Sequence, residues 1–286
     1  MFPDISNFIK NSIIKRDKSF FEKDLLQNKV NLTKEIKGKS ILVIGGAGTI
    51  GSSFIKVALR YFPSKLVVVD INENGLTELT RTLRSDPELI VPKTYLTYPM
   101  SFSSKIFYKM LKKHDRFNIV ANFAAHKHVR SEKDPFSIEA MIKNNVLDAK
   151  NLLDYLKTNK PNHFFCVSTD KAANPVNVMG ASKKLMENII MSYHKDIKIT
   201  TARFANVAFS NGSLLYGYIQ RLLQRQAISC PSDIKRFFVS PDESGEICLL
   251  TCILGKSGDI FFPKLSENQM ISFKQITEEF FKYLNI

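Results

Sequence analysis

The segment Ser40-Ile-Leu-Val-Ile-Gly-Gly-Ala-Gly-Thr-Ile-Gly51 decides the fold of this 286-residue chain. Its first half is a short apolar run that predicts a buried strand, and its glycines open a stretch with helical spacing of apolar residues. A second apolar run, Lys65-Leu-Val-Val-Val-Asp70, predicts the next strand. Strand, glycine loop, helix and strand in this order predict a βαβ unit.

Further apolar runs extend this unit along the chain. Residues 119–123 and 163–168 each follow a stretch long enough for a helix, and residues 197–204 predict another strand. Alternation of this kind is typical of parallel sheets with helices on both faces. The sequence therefore predicts an α/β fold with a Rossmann-type doubly wound parallel sheet.

The glycine loop predicts a dinucleotide site. Its glycines allow a tight turn and a close approach of the backbone to a pyrophosphate, while the following helix supplies N–H groups. The loop residues expected to contact the cofactor are Gly45, Gly48, Thr49, Ile50 and Gly51. Asp70 ends the second strand, where a carboxylate binds ribose hydroxyls and repels a 2′-phosphate, so NAD is favoured over NADP. The alternative is that Asp70 only caps a helix predicted over residues 72–79.

Three regions are expected along the chain. Residues 1–38 carry apolar side chains at helical spacing among lysines and predict an N-terminal helical arm. The arm is expected to pack on the main domain rather than on a second subunit or a membrane surface, because its polar face carries both charge signs. An NAD-binding Rossmann domain is expected over residues 39–204. A small substrate-binding lobe is expected over residues 205–286, where the pattern loosens and prolines appear.

Composition argues against several classes of protein. The net charge of +14 comes from 41 basic and 27 acidic residues that are scattered along the chain, so we expect no nucleic-acid partner. No apolar run approaches the roughly 20 residues of a membrane span, and no secretory signal is recognisable, so a cytoplasmic protein is expected. His126 and His128 are not expected to bind a metal, because residues leaving a strand so close together do not converge easily on one ion.

The segments Ser168-Thr-Asp-Lys-Ala-Ala-Asn-Pro175 and Asn177-Val-Met-Gly-Ala-Ser-Lys183 carry the most specific signal. Met179 and Lys183 stand four residues apart and so share one face of a predicted helix. The chain resembles the extended branch of the short-chain dehydrogenase/reductase superfamily, where this spacing belongs to a Tyr-x-x-x-Lys pair. The matching positions are the glycine loop, Asp70, Ala124, Ala125, Asn145 and Lys183.

Within that branch the chain resembles the bacterial UDP-N-acetylglucosamine 4,6-dehydratases of polysaccharide biosynthesis. Met179 in the tyrosine position is typical of their subgroup that retains configuration at C5. Ile44 and Arg130 differ from the usual residues of the family, and neither difference is expected to affect the chemistry directly. Relatives usually continue beyond the position of Ile286, so the C-terminal end is expected to be short relative to the family.

The resemblance implies NAD-dependent dehydration of a nucleotide-activated N-acetylglucosamine, with UDP favoured over GDP, to the 4-keto-6-deoxy sugar. Lys171 is expected to move the C5 proton, Asp170 to protonate the leaving C6 hydroxyl, and Lys183 to position the nicotinamide ribose. Because Met179 cannot accept the C4 hydroxyl proton, we hypothesise that Thr169 relays it. The hydride leaves and returns within one turnover, so NAD is expected to stay tightly bound.

The resemblance also implies binding roles. Ala124, Ala125 and Lys127 are expected at the cofactor, and Lys171, Asn206 and Arg236 at the substrate. A lone arginine is more often part of a surface ion pair, so Arg236 rests on the resemblance alone. A homo-oligomer is expected as well.

Two other functions stay open. One is a sugar-nucleotide 4-epimerase or reductase of the same fold, which needs no acid and base at Asp170 and Lys171. The other is a non-catalytic NAD-sensing protein, which the missing tyrosine favours and the presence of Asp170, Lys171 and Lys183 opposes.

Overall fold

The structure is a computed structural model that describes residues 4–285. Its strands are β1 (Ser40–Ile44), β2 (Lys65–Asp70), β3 (Thr94–Pro99), β4 (Ile119–Asn122), β5 (His163–Val167), β6 (Ile199–Ala202), β7 (Asn206–Val207), β8 (Lys235–Arg236), β9 (Phe238–Val239), β10 (Ile260–Phe261) and β11 (Ile271–Ser272). Its α-helices are α1 (Ile5–Phe8), α2 (Glu22–Gln27), α3 (Lys29–Ile36), α4 (Thr49–Leu59), α5 (Glu73–Ser85), α6 (Lys105–Lys113), α7 (Pro135–Ile142), α8 (Asp148–Leu156), α9 (Val178–Ser192), α10 (Leu214–Leu223), α11 (Pro241–Leu254) and α12 (Phe273–Leu284).

A seven-stranded parallel sheet forms the centre of the molecule, with the order β10-β6-β5-β4-β1-β2-β3. The predicted α/β fold with a doubly wound parallel sheet is confirmed. From β1 the chain proceeds outward to β3 in one direction, and from β4 it proceeds outward in the other. The direction therefore reverses between β1 and β4, which opens a crevice at the carboxyl ends of these strands.

Helices cover both faces of the sheet. Alternate residues of β1 point to opposite faces, so Ile41 and Val43 pack with α4, α5 and α11, whereas Leu42 and Ile44 pack with α6, α8 and α9. All four side chains are at most 1% exposed. This double burial explains why the strand reads as one continuous apolar run.

The C-terminal region does not form a separate lobe throughout. Helix α11 packs on α4, and β10 pairs with β6 as the edge strand of the central sheet. The predicted lobe over residues 205–286 thus includes one helix that packs on the Rossmann domain and one strand of its sheet. A two-residue strand leaves no pattern in the sequence, and Pro241 occupies the first turn of α11, where proline is favoured.

The remainder of the C-terminal region forms a third apolar core beside the sheet. Helices α10 and α12 enclose it with two small sheets, in which β7 pairs with β9 and β8 pairs with β11. Phe8, Ile9 and Ile13 of the N-terminal arm complete this core from α1 and its π-helical continuation, Ile9–Ile14. The lobe and the start of the arm are therefore one packing unit.

The rest of the arm runs from this core to the sheet. Leu32 and Ile36 of α3 are fully buried in the core beneath α4 and α11. The arm thus packs on its own chain at both ends. Within residues 4–285 the structure has no helix that is both long and apolar enough to cross a membrane.

Candidate active site

A cleft of about 770 Å³ lies at the carboxyl ends of the central strands, between the sheet and the lobe. Its volume is within the usual range of pockets that enclose small ligands and cofactors. The predicted site residues that line it are Gly45, Gly48, Thr49, Ile50, Gly51, Asp70, Ala124, Ala125, Lys127, Thr169, Lys171, Lys183 and Asn206. The fold therefore brings most of the predicted cofactor and catalytic positions to one cleft.

The glycine loop is built by backbone packed on backbone. Gly45 has a φ of +74°, and a Cβ atom there would lie 2.6 Å from the backbone nitrogen of Ala124. A Cβ atom on Gly51 would lie 2.4 Å from the carbonyl oxygen of Gly45, whereas one on Gly48 would meet the same oxygen at 3.4 Å, an ordinary contact. Gly46, which the sequence analysis missed, has no room either, because Val68 would lie 2.3 Å away.

Asp70 supports this loop from the end of β2. Its Oδ2 atom accepts a hydrogen bond from the backbone N–H of Ala47 at 3.0 Å, and its Oδ1 atom accepts one from Asn72 at 3.0 Å. The cap of α5 is Asn72 itself, which accepts from the N–H of Gly75. Each carboxylate oxygen has a further lone pair available for a donor in the cleft.

Thr169, Asp170 and Lys171 form one hydrogen-bonded group after β5. The hydroxyl of Thr169 donates to Oδ1 of Asp170 at 2.8 Å, and Nζ of Lys171 donates to the same oxygen at 3.1 Å. Thr169 and Lys171 line the cleft, whereas Asp170 lies beside them with its side chain 47% exposed. The structure therefore places a carboxyl group and an amino group in contact at the edge of the cleft.

Lys183 lies on α9 beneath this group and is only 4% exposed. Its Nζ atom donates to the carbonyl oxygen of Val167 at 2.6 Å. Burial lowers the pKa of the Lys183 ammonium group, and the nearby Glu187 carboxylate partly opposes that shift. Met179, one helical turn earlier, is buried and also lines the cleft, so the wall has no hydroxyl at this position.

Buried polar contacts fix the segments that carry these side chains. Glu187 of α9 is 1% exposed and accepts hydrogen bonds from the hydroxyl of Ser168 at 2.6 Å and from Nε of Arg203 at 2.8 Å. The ends of β5 and β6 are thereby joined to the helix that carries Lys183. Neither Ser168 nor Glu187 was predicted as a site residue, because a glutamate four residues after Lys183 looks like an ordinary helix residue in the sequence.

Asn145 plays a similar part on the other side of the cleft. Its side chain accepts from the N–H of His126 at 2.8 Å and donates to the carbonyl oxygen of His126 at 2.9 Å and to Ser182 at 3.1 Å. This fixes the backbone that follows β4 and connects it to α9. Ala124 and Ala125 lie in that backbone and line the cleft.

The predicted substrate residues are placed differently from one another. Asn206 of β7 lines the cleft, whereas Arg236 of β8 is exposed, is not among the lining residues and donates to its neighbour Lys235. Lys127 donates from Nζ to the carbonyl oxygen of Asn211 at 2.9 Å. Asn211 was missed by the sequence analysis, although the Asn-Gly pair at 211–212 is typical of a tight turn.

The comparisons with known proteins agree with this arrangement of the chain. A family model described as polysaccharide biosynthesis protein matches residues 41–284. The chain belongs to this family. A relative from Methanocaldococcus jannaschii, the uncharacterized membrane protein MJ1061, is 32% identical over 80% of this chain and 67% of its own.

Other relatives are similar at lower identity. The capsular polysaccharide biosynthesis protein CapD of Staphylococcus aureus is 28% identical over 80% of this chain but only 38% of its own, so the chain spans well under half of that relative. An inverting UDP-N-acetylglucosamine 4,6-dehydratase of Campylobacter jejuni is 27% identical over 80% of this chain and 67% of its own.

Solved structures share the fold. Pen from Bacillus thuringiensis superposes with a TM-score of 0.73 at 23% identity and covers 85% of this chain and 72% of its own. WbmF from Bordetella bronchiseptica, solved with NAD+ and UDP, has a TM-score of 0.69 at 17% identity, covering 88% of this chain and 80% of its own.

Proposed function

We propose that this chain binds NAD and catalyses the 4,6-dehydration of a nucleotide-activated N-acetylglucosamine, with UDP as the favoured nucleotide. The glycine loop supports NAD, because the space at Gly45 and Gly51 admits no side chain and leaves the backbone open to a pyrophosphate. Asp70 supports NAD over NADP, because its carboxylate would repel a 2′-phosphate. The observation that carries the proposal is the contact of Asp170 with Lys171 beside the same cleft.

NAD, when bound, supplies the hydride chemistry that oxidises C4 of the sugar and later reduces C6. The C4 ketone acidifies the neighbouring C5–H bond, and Lys171 removes that proton as a neutral amine. Asp170 donates a proton to the C6 hydroxyl, which leaves as water. Lys171 then returns a proton to C5 on the same face, so configuration is retained.

The Asp170–Lys171 contact explains how both groups reach the required form. In the open cleft a carboxylate and an ammonium group 3.1 Å apart stabilise each other. Substrate that covers them removes water and penalises both charges. Transfer of one proton from Lys171 to Asp170 then produces a neutral amine and a protonated acid in a single step.

The remaining cleft residues bind the substrate, orient the cofactor and relay the proton of the C4 hydroxyl. Lys183 is held rigidly against Val167 and positions the nicotinamide ribose. Met179 leaves no phenol for the C4 hydroxyl, so Thr169, which contacts Asp170, relays that proton to water, because Asp170 already carries the proton from Lys171. Asn206 binds the substrate from the lobe side. Arg236 reaches the substrate diphosphate only if β8 moves relative to the cleft.

The proposal is tested by mass spectrometry of UDP-N-acetylglucosamine after incubation with the purified protein in deuterated water, without added NAD. We expect the sugar to lose one water and gain one carbon-bound deuterium, and NMR of the product to show retained configuration at C5. That result also requires a cofactor that copurifies with the protein.

Other outcomes distinguish the alternatives. Inversion at C4 without loss of water indicates an epimerase, and inversion at C5 contradicts the retaining assignment. An unchanged sugar, also with the GDP derivative and added NAD, contradicts the enzyme and favours an NAD-sensing protein. The predicted homo-oligomer stays a prediction that light scattering of the same sample tests.

A further inference from the structure

Residues 209–213, here called the strap, cross the glycine loop from the lobe side. The backbone N–H of Asn211 donates to Oγ1 of Thr49 at 2.9 Å, at the first residue of α4. The carbonyl oxygen of Asn211 accepts from Nζ of Lys127 at 2.9 Å, from the segment after β4. One residue of the strap is thus bonded to both sides of the expected pyrophosphate position.

The strap is anchored firmly at its root and weakly at its tip. Phe209 is 8% exposed. Its ring packs edge-on against Phe8 of the arm, with ring centres 6.0 Å apart, and at a tilt against Phe280 of α12, with ring centres 5.6 Å apart. Asn211, by contrast, is exposed. The two bonds of its backbone therefore connect the tip to the glycine loop and to the segment after β4.

The backbone of the strap turns tightly, and the N–H of Ser213 donates to the carbonyl oxygen of Ser210 at 2.8 Å within the turn. Phe209 has a φ of +52° and Gly212 a φ of +74°, so left-handed residues flank the bonded residue. Gly212 also passes so close to the ring of His128 that a Cβ atom would lie 2.9 Å from it. A left-handed phenylalanine is costly and persists where its surroundings determine it.

Space is available on both sides of the strap. The large cleft lies on one side, and a second cavity of about 330 Å³ lies on the other, lined by Ala47, Thr49, Asn211 and the start of α11. The tip is therefore not supported by a packed core. It can move once its two hydrogen bonds are broken.

We infer that the strap retains the cofactor, with Thr49 and Lys127 as positioning residues that hold it closed over the pyrophosphate. This inference rests on the proposed binding of NAD. It gives a physical reason why a cofactor recycled within each turnover stays bound, because release of the pyrophosphate requires both bonds to Asn211 to open. The root, fixed by Phe8 and Phe280, acts as the hinge.

The test compares Thr49→Val, which removes the acceptor, with Thr49→Ser, which keeps it. Hydrogen–deuterium exchange of the 209–213 peptide is measured without added nucleotide, and dissociation of NADH is followed by its fluorescence. We expect the exchange rate and the NADH dissociation rate to rise about fivefold in Thr49→Val, because one hydrogen bond is lost. Both rates should return toward the wild-type values in Thr49→Ser. Thr77 is an exposed helix threonine whose hydroxyl donates to the carbonyl oxygen of Glu73, so Thr77→Val is the control and should change neither rate.

Each contrary result has a distinct meaning. Faster NADH release with unchanged hydrogen–deuterium exchange shows that Thr49 acts directly on the cofactor. That result contradicts the proposed role of the strap. Faster exchange with unchanged release overturns its role in retention. If wild-type protein binds no NADH at all, the proposed function falls and the retention role falls with it, while the exchange measurement still reports whether Thr49 holds the strap.

Discussion

Asp170 and Lys171 are adjacent in the chain, yet their proposed roles require opposite proton movements. Because the backbone N–H of Lys171 also donates to Oδ1 of Asp170, the carboxylate is held in place by its own turn as well as by the ammonium group. An amide at position 170 would keep much of this geometry but could not deliver a proton. A methionine at position 171 would keep the length of the side chain but not the base.

We therefore expect Asp170→Asn to slow the loss of water at least about 100-fold, and Lys171→Met to abolish deuterium incorporation at C5 to a similar degree. Mass spectrometry in deuterated water measures both. Asp154→Asn is the matched control, since Asp154 pairs with Lys150 at 2.6 Å on the surface away from the cleft. Wild-type deuterium incorporation in Lys171→Met would exclude this lysine as the base.

At the scale of the element, the glycine loop is a set of backbone contacts with unequal tolerance. Gly45 and Gly51 lie against other backbone atoms that cannot move separately, whereas Gly48 has space for a methyl group. The sequence motif treats its three glycines as equivalent. In the structure the three glycines differ in how close an added side chain would come to neighbouring atoms.

This ranking predicts that Gly51→Ala lowers the free energy of unfolding by about 2 kcal/mol and weakens NAD binding, because the carbonyl of Gly45 must shift. Gly48→Ala should change the free energy of unfolding by less than about 0.5 kcal/mol. Chemical denaturation and titration with NADH provide the two measurements. Equal destabilisation by both substitutions would contradict the ranking.

At the scale of the whole molecule, the sequence predicted the parts of the fold that repeat a simple pattern. Strands β1 and β2 are buried on both faces, so the apolar runs of the sequence coincide with the observed strands, residues 40–44 and 65–70. Strand β3 was missed because it lies at an edge of the sheet with only half-buried side chains.

The site residues that lie in short motifs could be predicted from the sequence. Contacts between residues far apart in the sequence could not. The glycine loop and residues 169–171 are contiguous, so spacing reveals them. The contact of Thr49 with Asn211 joins residues 162 positions apart, and Glu243 binds Arg16 from 227 positions away. No local pattern encodes such pairs, because they exist only after the sheet has brought α4, α11 and the arm together.

The arm is attached to α11 by two buried carboxylates. Glu243, 1% exposed, accepts hydrogen bonds from the Arg16 guanidinium at 2.6 Å and from the N–H of Phe20 at 2.9 Å. Glu246, one turn further, is 5% exposed and accepts from the hydroxyl of Ser19. Arg16 compensates the charge of Glu243, whereas Glu246 has no ion pair of its own among the described residues.

Burial raises the pKa of Glu246 from 4.5 to about 7, and the neighbouring Asp242 and Glu243 add to the shift while Ser19 and Arg60 oppose it. Between these values the folded protein binds a proton that the unfolded chain releases, so stability falls as pH rises through this window. The loss amounts to about 3 kcal/mol above pH 7. Glu246→Gln keeps the contact with Ser19 without the charge and should remove this decline.

Chemical denaturation of wild type and Glu246→Gln between about pH 5 and pH 8 measures the effect, and Glu139→Gln on the exposed face of α7 is the control for loss of one surface carboxylate. The two curves should converge at low pH and separate as pH rises, with the glutamine variant more stable. Parallel curves would show that Glu246 is ionised in the folded protein at low pH as well. In that case Glu246 contacts Ser19 as a carboxylate throughout, and the attachment of the arm to α11 does not depend on pH in this range.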